Sequence, residues 1–242
     1  MSTEHFIRLS AVRSSTAAML ANFDAQQWSD ADVAVPSLLP GWTRGHVLSH
    51  IARNADGTSL TLAGALRGEQ LARYPDGRDG RNADIESGAT RPAAAQLADV
   101  HESADRLDRL FGALADYDGW DLPAENGTAA HSFVTARWRE VEIHRVDVDG
   151  DYTAAHWPTQ FIDYLLPRLA AELGTRTTEP IRIEVEAEGS RTTALPGSTW
   201  TAGEGDPVRV AGPDWAVLAW LVGRPSSASG ALSATPTLQA WS

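Results

Sequence analysis

The chain of 242 residues contains no cysteine and no lysine. Without cysteine there is no disulfide, no thiolate metal ligand and no cysteine nucleophile, so any thiol chemistry must use a thiol brought in from outside. With lysine absent, all 20 basic side chains are arginine, and the abundance of Ala, Asp and Gly beside them points to a GC-rich genome. No apolar run approaches the roughly 18 residues of a membrane-spanning helix. No apolar segment follows Met1 in the manner of a secretory signal, so a cytoplasmic location without a membrane partner is expected. Acidic residues outnumber basic ones 32 to 20, a net charge of −12 that repels phosphate and argues against a nucleic-acid partner. A nucleophile elbow of the form Gly-x-Ser-x-Gly, a phosphate loop and a dinucleotide fingerprint are all missing. What remains is ordinary globular composition, 43% hydrophobic and 21% charged, with length enough for one large domain or two smaller ones.

Periodicity divides the chain. Residues 5–28 carry Phe6, Leu9, Val12, Leu20 and Phe23 in a helical stripe. Pro40-Gly41 breaks the pattern, Thr43 can cap a second helix to about Leu66, and the Gly-, Arg- and Asp-rich stretch 67–91 reads as a long loop. Pro92 can open a third helix through Leu107 and Phe111, and a fourth is expected from about His131 to Val148. After residue 155 the character changes. A short helix from Phe161 to Leu173 precedes Ile181–Glu188, which alternates apolar and charged residues as a half-buried strand does. Residues 192–195, 198–201 and 208–210 look like further strands, Trp215 to Leu221 like a helix, and the tail from Pro225 like a segment either loose or draped over the surface. The expected fold class is α+β, with a helical bundle over residues 1–155 and a small α+β domain over 156–242.

One set of residues suits a metal. Glu140 and His144 are four apart on the fourth helix and share a face. His50, from the second helix, can complete a two-histidine, one-carboxylate set that leaves a coordination position open, as catalytic zinc sites do. His46 lies four residues before His50 and competes with it for that part. The spacing alone is also that of hydrogen-bonded core histidines and of an ordinary exposed Glu–His pair. Asp147, three residues after His144, either orients that imidazole or faces solvent. Glu142 points away from Glu140 and is expected in water, while Arg137, Arg139 and Arg145 are expected to pair with acids. Arg81 in the long loop and Arg224 after Gly223 can each grip a carboxylate through a planar fork, or simply be solvated.

These segments resemble the mycothiol-dependent maleylpyruvate isomerase family, a branch of the DinB-like metal-binding superfamily. The resemblance is carried by Gly41-Trp42-Thr43-Arg44 with His46, His50 and Asn54-Ala55, by Arg81-Asn82 and Ile85, by Arg139-Glu140-Val141 with Ile143-His144 and Val146-Asp147, and by the Ala219–Arg224 ending. It implies a DinB-like four-helix bundle and a C-terminal domain similar to sterol-carrier proteins. It implies that His50, Glu140 and His144 bind a divalent metal, usually zinc, although imidazole and carboxylate also suit nickel, iron and manganese. It further implies that mycothiol, the low-molecular-weight thiol of actinobacteria, is the cosubstrate, that Arg224 acts at the site, and that Arg81 is a second candidate for a substrate carboxylate.

Three functions are compatible with this reading. A metal-activated thiolate can add to the cis double bond of maleylpyruvate, allow rotation, and leave to give fumarylpyruvate. The same thiolate can instead be transferred to another electrophile or a biosynthetic intermediate. Third, the alternating strand and Trp-rich helix can form an apolar cavity for a lipid-like ligand without catalysis. The oligomeric state is open.

Overall fold

The computed structural model describes residues 3–177, 179–192 and 195–240. The fold is α+β, with the helices and strands in two compact units, residues 1–150 and 151–242.

The first unit is helical: α1 (Thr3–Gln26), α2 (Asp30–Ala34), α3 (Arg44–Leu66), α4 (Gly77–Ala89), α5 (Ala93–Asp116) and α6 (His131–Asp147). Helix α3 begins at Thr43, whose side chain accepts from the His46 amide, while His46 Nδ1 accepts from the Thr43 amide at 3.1 Å. This is a capping box with histidine in the usual place of glutamate. It directs the His46 ring to the helix start, and His46 Nε2 faces Glu86 at 3.3 Å. Helices α3 and α5 pack along one another, α6 lies against α1 and α3, and Met19, Phe23, Leu48, Ile51, Val100 and Val141 meet in the shared core.

Helix α4 corrects the expectation of a loop over residues 67–91. Only Ile85 of its 13 residues is a buried apolar anchor, so no apolar stripe marked it. Close backbone approach holds it instead. A Cβ on Gly88 would stand 2.2 Å from Ser49 Oγ, and one on Gly45 would stand 2.7 Å from the Ala89 carbonyl oxygen. Gln96 Nε2 donates to the Ala89 and Arg91 carbonyls at 3.0 and 2.7 Å. Glycine at both positions lets α4, and Arg81 on it, lie tight against the helix that carries His50.

The second unit holds α7 (Thr159–Ala171), strands β1 (Ile181–Val185), β2 (Thr199–Ala202) and β3 (Val208–Gly212), and α8 (Asp214–Leu221). The sheet order is β2-β1-β3, with Ile183 opposite Trp200 in an antiparallel pair and opposite Val210 in a parallel one. Ile181, Ile183 and Val185 point inward, as the alternation requires. Of the strand expected over 192–195, residues 193 and 194 lie outside the described residues, and Thr192 and Leu195 are not in a strand. The C-terminal segment is docked rather than loose: Trp220 Nε1 donates to the Pro236 carbonyl at 2.8 Å and Gln239 N to the Arg176 carbonyl at 2.9 Å. Among the described residues no helix is long and apolar enough to cross a membrane.

Candidate metal centre

Helices α3 and α6 bring His50, Glu140 and His144 to one point. His50 Nε2 lies 2.9 Å from Glu140 Oε2 and 2.9 Å from His144 Nε2, and His144 Nε2 lies 3.3 Å from Glu140 Oε2. Among the described residues this is the one group of three such side chains close enough to share an ion. The imidazoles meet edge to face, centroids 4.4 Å apart, and the Trp42 ring stands against His50 at 5.6 Å. His50 is 5% exposed, so the cluster is shielded on its α3 side.

The triangle has the dimensions of a coordination face. Bonds of about 2.0–2.1 Å at tetrahedral angles separate ligand atoms by roughly 3.3 Å, and the observed edges are 2.9, 2.9 and 3.3 Å. Hydrogen bonding explains the cluster less well. Arg81 Nη2 lies 2.9 Å from His50 Nδ1. Arginine only donates, so Nδ1 accepts and the His50 proton stands on Nε2. His144 Nδ1 faces Asp147 Oδ2 at 2.7 Å, and the fully buried carboxylate must accept there. A protonated His144 then directs a second N–H at the Glu140 oxygen already used by His50, and the two N–H groups face each other at 2.9 Å. A cation that takes both nitrogen lone pairs removes this conflict, and the donor set suits one.

Charge settles in the site in a defined way. Burial, reinforced by the positive charge of His144, pushes His50 down to about 4. Burial opposes charge on His144 as well, but its hydrogen bonds to Asp147 and Glu140 prevail and raise it to about 9. Burial would raise Glu140; hydrogen bonds from His144 and His50 outweigh it and hold the carboxyl well below the usual range. The metal-free site thus keeps an ionised Glu140 beside a protonated His144 at neutral pH.

Asp147 is 0% exposed and sits where it fixes the tautomer and the ring plane of His144. Asp147→Asn replaces an acceptor with an amide that can present either end to Nδ1. Metal affinity is expected to fall by about 10- to 100-fold, as read by competition with a chromophoric chelator; wild-type affinity in this variant would remove the orienting role.

Arg81 projects from α4 over the Tyr74 ring, 5.6 Å from its centroid, and edges a cavity of about 180 Å³ with Arg53, Gly80 and Asp84. Tyr74 gave no sequence signal, since it lies in the segment read as loop. Arg224 belongs to the second unit, where it follows α8 and its Nη1 donates to the Val222 carbonyl at 2.8 Å. Two expectations are corrected. Glu142 is 1% exposed and accepts from Ser15, which in turn accepts from Trp138 Nε1 at 3.0 Å, because α6 is buried on the face toward α1 as well as toward α3. Among the described residues Arg137 pairs with no acid; its Nη1 donates to the Ile51 carbonyl and to Asn54 Oδ1.

Residues 9–149 match the family model described as the mycothiol maleylpyruvate isomerase N-terminal domain. Two solved structures are similar over the full length of both chains, at 26% identity and a TM-score of 0.79: a crystal structure of the mycothiol-dependent maleylpyruvate isomerase, and one of a histidine-to-alanine mutant of that enzyme. No curated protein is matched.

Proposed function

The chain belongs to the mycothiol maleylpyruvate isomerase family, whose solved members are enzymes, and from that membership we propose that it converts maleylpyruvate to fumarylpyruvate with mycothiol as cosubstrate and a divalent metal held by His50, Glu140 and His144. The observation that carries this is the convergence of two imidazole nitrogens and one carboxylate oxygen, edges no longer than 3.3 Å, on a site with an orienting carboxylate behind it. Imidazole and carboxylate ligands make zinc the first choice. The helices of the first unit are assigned to a DinB-like bundle and the second unit to a sterol-carrier-like domain.

When bound, the metal supplies Lewis acidity that lowers the pKa of an incoming thiol and makes thiolate available at neutral pH. The residues of the chain do the rest. Asp147 holds His144 in the tautomer that leaves Nε2 free to ligate. Were His50 to hold the metal through Nε2, its ring proton would stand on Nδ1 and the Arg81 contact seen at 2.9 Å would be lost. Arg81 would then be free to grip a carboxylate of the substrate. The mycothiol sulfur forms a bond to one carbon of the cis double bond, and the electron pair moves to the conjugated carbonyl oxygen. Rotation about the new single bond follows. The electron pair then returns, the carbon–sulfur bond breaks, and the trans isomer and thiolate leave. Arg224 is assigned to the negative charge that grows on the enolate oxygen.

Arg224→Ala is expected to lower kcat by about 100-fold with metal content unchanged, as read by steady-state kinetics and elemental analysis; unchanged turnover would remove Arg224 from the chemistry. The proposal as a whole is tested by following maleylpyruvate with and without mycothiol. Thiol-dependent formation of fumarylpyruvate, one for one and with thiol regenerated, supports it. Consumption of the thiol into a stable thioether would overturn it in favour of an S-transferase.

A further inference from the structure

Away from the metal ligands, helices α1 and α5 part to leave a cavity of about 280 Å³. Its walls are mainly apolar, from Val12 and Leu20 on α1 and Ala104, Leu107 and Phe111 on α5. Arg137, reaching in from α6, is the one lining residue contributed by another helix. That residue is anomalous. It is 2% exposed, and among the described residues it forms no ion pair. Its Nη1 is satisfied by the Ile51 carbonyl at 2.9 Å and Asn54 Oδ1 at 3.0 Å, but Nη2 is buried without an acceptor among the described residues. A guanidinium is costly to bury unpaired, and an empty donor on it is costlier still. At the rim, Arg13 and Asp108 neutralise one another, Nε to Oδ1 at 2.5 Å, which leaves Asp105 as the other rim charge.

An anionic acceptor would complete Arg137, and the walls would receive an apolar chain. Asp105 disfavours a second negative charge, so a monoanion fits better than a dianion. We propose that the α1–α5 cavity is a binding site for a monocarboxylate bearing an apolar tail of roughly six to ten carbons, with the carboxylate accepting from Arg137 Nη2 and the tail lying along Leu20, Leu107 and Phe111. The site does not depend on the metal, and its occupant differs in kind from a small dicarboxylate.

Calorimetric titration of the full chain with octanoate, and with octanol as the uncharged counterpart, tests this. The expected result is one octanoate per chain, with octanol weaker by about tenfold or more. Arg137→Met should abolish that preference, leaving octanol binding in place; the exchange removes an unpaired buried charge and is compatible with folding. Ala104→Phe should fill the cavity and block both probes without changing metal content, so any octanoate that reaches the metal ligands is recognised as binding that survives this variant. Equal affinity for the two probes, no octanoate binding at millimolar concentration, or octanoate binding that Arg137→Met leaves unchanged would each overturn the assignment and leave Nη2 to a structural water.

Discussion

His50→Ala is expected to fold to the same helical content, to carry no stoichiometric metal, and to lose thiol-dependent maleylpyruvate turnover by about three orders of magnitude or more. The size of the effect follows from where the three donors come from. Glu140 and His144 are neighbours on α6, and His50 is the sole donor from α3. Removing it leaves two ligands on one helix, too few for a tight site and with no second wall to set the geometry. The fold survives because the core around the site, Val47, Leu48 and Ile51 on the same helix, is built without the imidazole. Truncating a buried ring leaves a void, but it also ends the opposition of two N–H groups at 2.9 Å. Circular dichroism separates loss of fold from loss of site, and elemental analysis with a rate assay reads the site. One metal per chain and wild-type turnover in His50→Ala would contradict the ligand assignment.

Metal affinity should rise with pH, by about tenfold per unit between roughly pH 5 and 9. The sign comes from His144. In the metal-free chain burial works against its charge, yet Asp147 and Glu140 hold its pKa up at about 9, so it carries a proton that the metal must displace from Nε2. His50, pushed down to about 4, has only to move its proton from Nε2 to Nδ1 and adds a second displaced proton only in more acidic solution. Glu140, held well below the ordinary carboxylate range, is ionised throughout. One proton per chain is therefore released on binding at pH 7, which calorimetry in buffers of different ionisation enthalpy measures directly. Chelator competition at pH 6, 7 and 8 reads the slope. An affinity that stays flat over that interval would show that His144 is neutral in the metal-free protein. Above pH 9 the slope should vanish.

How much of this was legible in the chain depends on the range of the interaction. That Glu140 and His144 share a face follows from helical periodicity, and their ligand atoms stand 3.3 Å apart. The proximity of Asp147 to His144 is likewise local, a three-residue step on one helix. The separation of His46 from His50 was not visible in spacing alone. It depends on the capping box at Thr43, which turns His46 to the helix start and leaves His50 facing α6. Helix α4 was not visible either, because Gly45 and Gly88 hold it by backbone approach and not by an apolar stripe. Glu142 and Arg137 defeated charge-based expectation for one reason: α6 is enclosed on more than one side, so polar residues on it are buried against Ser15 and against the α3 backbone. No local pattern encodes that enclosure.

A metal at His50, Glu140 and His144 is proposed to activate a thiol for isomerisation. The most direct measurement is the rate of fumarylpyruvate formation with mycothiol, taken on chelator-stripped protein as zinc is returned in sub-stoichiometric steps. Negligible turnover is expected at the start, with a linear return that saturates at one ion per chain. Full turnover by the stripped protein, or zinc binding at one per chain that restores none, would contradict it.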